Sequence, residues 1–380
     1  MNPAPAARPD PARPRRGLFA LASVLVASTF AMMALGGLVT SHDAGMAVPK
    51  GFTTAGSWSL ITPLADWWHA FDTRLEHAHR VLGYVVGLAA IAFLVGVCRP
   101  GARTPRRLKV LAVALLLFVI AQGVLGALRV DHNSLLLAGI HGVTGQIYLA
   151  LTVITACLVG GYVARQRRTP AGPRLVRGLA YGLIAALLLQ LTLGSAVRHT
   201  HSALAIPDWP LHYGQLVPPA EADALAAAVA AFPADKLPAR YAVMNENGGP
   251  YRVGQVHLHF THRVFGYAVF AFGLFVAGVT LLRYRRHLRG VAVPAGLLGV
   301  FMVAQVLLGI TTVLSGENAN YAPLHQTCGA ALLATAVWLA VRVTVTPADT
   351  VAGVGLDAEA EAFALRTADS APNPGPAVPA

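Results

Sequence analysis

Apolar residues gather into eight long stretches, near 18–40, 77–98, 109–129, 136–163, 178–198, 256–282, 291–315 and 322–344. Polar, proline-bearing or arginine-rich connections separate them. A helix needs about 20 mainly apolar residues to cross the hydrocarbon of a bilayer. Lipid also forces each segment to pair its own backbone groups, which selects helices over open strands. The pattern predicts an all-α integral membrane protein with eight transmembrane helices. The first stretch follows "ARPDPARPRRG" (7–17), a basic start like that of a secretory leader. Its length and the lack of a small-residue cleavage site make it a retained helix instead.

Composition agrees. Apolar residues make up 55% of the chain and charged residues 12%, which excludes an ordinary soluble domain. The net charge of +12 raises the question of nucleic acid. Position answers it. Arg8, Arg13, Arg15 and Arg16 precede the first stretch, and Arg99, Arg103, Arg106, Arg107 and Lys109 follow the second. Arg165, Arg167, Arg168, Arg174 and Arg177 follow the fourth, and Arg283, Arg285, Arg286 and Arg289 the sixth. Basic residues on alternate connections mark the cytoplasmic side. The charge is therefore a topology signal, with both termini cytoplasmic and no nucleic-acid partner; the expected membrane is the cell inner (plasma) membrane. Cys98, Cys157 and Cys328 form neither a zinc pattern nor a CxxC motif.

The outer side then carries two long connections, 41–75 and 199–255, of a length that is often functional. "PAEADALAAAVAAF" (219–232) within the second reads as an amphipathic helix lying at the interface. The segment after Thr346 lacks an apolar period and reads as disordered.

The chain repeats itself. "HRVLGY" from His79 and "HRVFGY" from His262 are near copies, and "HGVTGQ" from His141 and "HQTCGA" from His325 share their HxxxG spacing. The odd-numbered stretches share "QGVLG" (122–126), "QLTLG" (190–194) and "QVLLG" (305–309), with "MMALG" (32–36) at the matching place. These latter glycines read as sites of close helix packing. Two four-helix bundles repeat in the same order and direction, related by an axis along the membrane normal. The expected organisation is a basic tail at 1–17, an N-terminal bundle at 18–164, a linker at 165–177, a C-terminal bundle at 178–344 and a disordered cytoplasmic tail at 345–380.

Histidines inside spans are costly and mark function. His79, His141, His262 and His325 should lie at similar depth near the outer face. Paired imidazoles across a bundle suit bis-histidine haem; zinc would be short of protein ligands. The glycine four residues on shares the histidine's face, so Gly83, Gly145, Gly266 and Gly329 leave room for a flat porphyrin. Arg80 and Arg263 follow two of the histidines, as candidate partners for haem propionates or as snorkelling interfacial cations. Three residues before the histidine the copies differ, with Glu76 in one and His259 in the other. A carboxylate beside a porphyrin suits proton transfer or charge stabilisation. The remaining histidines, His77 among them, read mostly as loop and interface residues, with metal binding on the outer side as the alternative.

"EHAHR" (76–80), "HGVTGQ" (141–146), "HFTHR" (259–263), "LHQTCG" (324–329), "QGVLGALRV" (122–130) and "ALAIPDWPLHYGQLVPP" (203–219) together resemble the haem A synthases, eight-helix membrane enzymes of cytochrome oxidase assembly. The resemblance covers roughly 18–344. It implies oxidation of the C8 methyl of haem O to a formyl group, with oxygen and external electrons from a quinol or ferredoxin-type donor. It implies Glu76 as catalytic carboxylate, His79 and His141 flanking substrate haem O, and His262 and His325 as iron ligands of a haem b cofactor. Contact with a haem O synthase and an oligomeric assembly are further partners it allows. The chain departs from some relatives in having no cysteine pair in its outer loops, and "PDWP" (207–210) occurs in the second half alone. A non-enzymatic di-haem cytochrome fed by quinol explains the histidines equally well but gives Glu76 no task. A haem-binding assembly factor predicts loosely held haem.

Overall fold

The computed structural model describes residues 16–100, 104–160, 174–238, 241, 251–286 and 290–344. The tail at 345–380, most of the tail at 1–17 and most of the linker at 165–177 lie outside these residues. Eight helices are long and apolar enough to cross a membrane. They are α1 (Arg16–Ser41), α2 (Phe71–Cys98), α3 (Arg106–Asp131) and α4 (Leu135–Val159), then α5 (Arg174–His199), α6 (Val253–Val279), α7 (Ala292–Leu314) and α8 (Tyr321–Thr344). A π-helical turn, Thr280–Tyr284, extends α6.

Packing contacts link α1 to α2, α2 to α3, α3 to α4 and α4 back to α1; α5, α6, α7 and α8 close a second ring in the same way. The rings meet where α1 and α4 touch α8 and α4 touches α5. Burial follows these contacts. In their most apolar windows α8 is 61% buried and α4 44%, against 28% or less for the others, so these two form the centre. Small side chains suit α8 to that place: Ala330, Ala336 and Ala340 are all at most 3% exposed, and small residues let helices approach closely without a hydrophobic drive in lipid. One apolar cluster joins α1, α2, α3 and α4 around Leu25, Phe93 and Leu115. Another joins the outer face of α4 to α5, α6, α7 and α8 around Leu183, Leu298 and Leu333.

α2 starts at Phe71, six residues before its apolar stretch, and α6 at Val253. At a rise of 1.5 Å per residue, His79 and His262 lie about 12–14 Å from the starts of their helices, and His141 and His325 about 6–9 Å. The early turns of α2 and α6 project into the loop layer, which buries Glu76 and His77 on one and Val256 and His259 on the other.

That layer is folded. In the first loop, strands Thr53–Thr54 and Ser57–Trp58 form a small antiparallel hairpin. Its turn residues Ala55 and Gly56 have φ of 49° and 81°, the positive pair of a type I′ turn. In the second loop, Leu204, Ala205, Ile206 and Tyr213 pack with Tyr251 and Val256. The helix expected in 219–232 forms over Ala222–Ala231 and buries Leu225 in the same cluster.

Candidate functional site

Each transmembrane hairpin interlocks in the same way. A Cβ built on Gly36 would stand 3.0 Å from His79 Cε1; on Gly126, 3.3 Å from His141 Cε1; on Gly194, 3.1 Å from His262 Cε1; on Gly309, 2.9 Å from His325 Cε1. The glycines of the odd-numbered stretches thus seat the four imidazoles. The reciprocal contact comes from the glycine after each histidine. Gly83 meets Met32, Gly145 meets Gln122, Gly266 meets Gln190 and Gly329 meets Gln305. Side-chain amides then reach the rings in the second ring of helices. Gln190 Nε2 lies 3.2 Å from His262 Nδ1, and Gln305 Nε2 lies 3.3 Å from His325 Nε2.

His79 and His141 line one cavity of about 500 Å³, together with Glu76, Gly83, Arg129 and Gly145. Glu76 is 2% exposed. Its Oε2 accepts from Val48 N at 2.7 Å, and its Oε1 accepts from Arg80 Nη2 at 2.6 Å. Arg80 then folds the first loop over the cavity: Nη1 donates to the carbonyls of Lys50 and Thr53, and Nη2 to that of Val48. His77 supports the same cover from behind. It is 1% exposed, stacks on Trp67 at 4.2 Å and hydrogen-bonds Thr54 Oγ1 at 3.1 Å. It is therefore a buried loop anchor and not an interface residue.

His262 and His325 line a second cavity, of about 270 Å³, with Gly266 and Gly329. Here Arg263 repeats the clamp. Its Nη1 donates to the carbonyls of Asp208 and Leu211 and its Nη2 to that of Ile206. Its Nε donates to His259 Nε2 at 3.1 Å, so an imidazole takes the place that Glu76 holds beside Arg80. Asp208 fixes the loop further, accepting from the amides of Tyr213 and Gly214. His212 lies under this loop edge-on to Phe260. Burial lowers its pKa, with the Arg263 cation acting in the same direction, while Asp208 and the carbonyls of Gln215 and Leu216 oppose.

Arg80 and Arg263 each donate to three loop carbonyls and to Glu76 or His259 while also lining their cavities. Arg129, to which the histidine pattern does not point, is a further cation lining the first cavity beside Arg80 and Arg198. It lies against Gly45, and no hydrogen bond holds it among the described residues. A lone arginine seven residues after Gln122, near the end of an apolar helix, was the available signal. Arg198, His199 and Gln326 border both cavities. Arg198 ties the two rings, donating to Ser41 Oγ at 2.6 Å and to Glu317 Oε1 at 3.3 Å.

Comparison with known proteins adds a family to this geometry. Residues 70–337 match the family described as cytochrome oxidase assembly protein. Curated relatives named Heme A synthase align along most of the chain. That of Methylobacterium radiotolerans is 30% identical over 82% of this chain and 86% of its own length. That of Caulobacter sp. is 29% identical over 88% and 98%. That of Sphingopyxis alaskensis is 28% identical over 87% and 91%.

Proposed function

Since the chain belongs to the cytochrome oxidase assembly protein family, we propose that it is a haem A synthase, converting the C8 methyl of haem O to a formyl group with oxygen and external electrons. The observation that carries this reading is the first cavity. It gathers a histidine pair, a buried carboxylate and a cation into one space with an apolar wall. His79 and His141 flank the substrate haem. Gly36 and Gly126 seat their rings against the neighbouring helices.

Glu76 is the catalytic carboxylate. One contact to each oxygen leaves acceptor capacity on both, so the group can hold or release a proton beside the substrate while Val48 and Arg80 fix its orientation. The Arg80 clamp closes the first loop over the site and excludes water. Arg129 is the group suited to a substrate carboxylate, by charge and by its free donors.

The second cavity fits a resident haem b. His262 and His325 would be its ligands; Gly194 and Gly309 leave no side chain to displace their rings, and His325 Nδ1 donates to the Gln305 carbonyl at 3.1 Å, which turns Nε2 toward the cavity. Bound there, haem b supplies one-electron transfer. Electrons come from an external quinol or ferredoxin-type donor. The arginine-rich connections support an orientation with both termini cytoplasmic, in the plasma membrane of the cell on this reading. A simple electron carrier would use neither Glu76 nor the larger cavity.

The test is a haem extract. The full chain is co-expressed with a source of haem O in a host that makes no haem A. Haem A should appear in the chromatogram in the presence of oxygen. Unmodified haem O alone, with intact protein in the membrane, overturns the reading.

A further inference from the structure

The two cavities differ most where no histidine, arginine or carboxylate is involved. Between α2 and α3 the first cavity continues past the histidines as a slot. Gly87 and Gly123 line it, and no atom stands within 4 Å of a Cβ built on either. Its other walls are Leu88, Ile91, Leu116 and Ile120. Leu88, Ile91 and Ile120 are 60%, 46% and 54% exposed on helices that face lipid, so the slot opens sideways into the bilayer. From His79 to Ile91 it follows α2 for about 18 Å.

The second half of the chain supplies the comparison. The residue eight positions after the histidine is Gly87 in α2 and Phe270 in α6. The residue after the glutamine is Gly123 in α3 and Val306 in α7. Phe270 and Val306 both line the second cavity. Where the first half has two glycines and open space, the second has a phenyl ring and a branched side chain. The cavity volumes follow, about 500 Å³ against about 270 Å³.

We propose that the α2–α3 slot seats the long isoprenoid chain of the haem substrate, and that Gly87 and Gly123 are specificity-determining residues that admit it. This rests on the haem A synthase reading. Haem O differs from haem b in carrying such a chain, and the slot is the matching asymmetry between the cavities. The polarity also matches. Glu76, Arg129 and the histidines stand at the loop end, and the slot runs from them into the apolar layer. Phe270 and Val306 exclude a tail from the second cavity, leaving it to haem b.

The test compares affinities of haem O and haem b for the purified full-length chain in lipid nanodiscs. A His262→Ala/His325→Ala background confines ligation to the first cavity. Haem O should bind about tenfold or more tighter than haem b, the scale expected when a sizeable apolar group finds or loses its pocket. Gly87→Phe and, from the opposite wall, Gly123→Val should each bring the ratio to within about twofold, by weakening haem O and leaving haem b unchanged. Monodisperse elution of each variant checks folding. A preference that survives both substitutions overturns the slot, as does an equal loss of both haems in monodisperse variants. Equal affinities in the unsubstituted slot overturn it while leaving the functional reading in place. Binding of neither haem overturns both.

Discussion

Gly309 lies against the imidazole of His325 so closely that a Cβ built on it would stand 2.9 Å from Cε1. That is below any ordinary van der Waals separation, so either the ring or α7 must move when a side chain is added. Gly309→Ala should tilt His325, lowering haem occupancy of the second cavity and shifting its absorption bands. Gly296, on the same helix, has nothing within 4 Å. Gly296→Ala should leave the spectrum unchanged and slightly favour the helix. Visible spectra of the two purified variants decide; identical spectra would show that the glycine seat does not hold the ring.

The Arg80 clamp predicts an effect that charge alone does not. Its guanidinium serves three carbonyls and the Glu76 carboxylate. A lysine keeps the charge but presents a single ammonium point, so it cannot span these acceptors. Arg80→Lys should cost about 3 kcal/mol locally, the scale of a lost charge-assisted hydrogen bond in a buried setting. The readout is amide exchange. Val48, whose amide is held by Glu76, should exchange faster, and the loop at 203–219 should not change. Equal acceleration of both loops would mean global loosening rather than an opened clamp.

How much of this was legible in the sequence depended on what the feature needed. Apolar length alone placed all eight spans within a few residues, except at the start of α2. There the helix runs on into the loop layer through polar residues such as Asp72 and Arg74, which a hydropathy reading assigns to the loop. The His and Gly pattern was visible as a pattern. Its partners were not, because contact between Gly36 and His79 depends on the register of two helices and no single sequence states that. Arg80 beside His79 reads as a propionate partner or a snorkelling cation. Its acceptors, the carbonyls of Val48, Lys50 and Thr53, carry no side-chain signature at all. Gly87 and Gly123 went unnoticed for a related reason: their significance is the absence of a neighbour.

His212 gives a pH dependence outside the membrane. Its pKa is lowered in the folded loop by burial and by Arg263, so the fold prefers the neutral ring. Its stabilising contribution is complete above the unfolded value of about 6.5 and is lost as pH falls below it. Limited proteolysis of the 203–219 loop should therefore quicken between about pH 7.5 and about pH 5.5. His212→Gln should flatten that change. An unaltered pH response in the variant would assign it to another group.

The division of labour between the cavities is the centre of this account, and Glu76→Gln tests it most directly. Glutamine keeps an oxygen for Val48 N and nearly the same shape, but it holds no ionisable proton. In cells supplying haem O, the extract of this variant should contain haem O with haem A reduced about 10²-fold or more, the usual scale for a lost general acid–base group. The purified variant should retain its haem b spectrum from His262 and His325. Haem A at the unsubstituted level, or loss of the haem b spectrum together with activity, would contradict the assignment of oxidation to the first cavity and electron storage to the second.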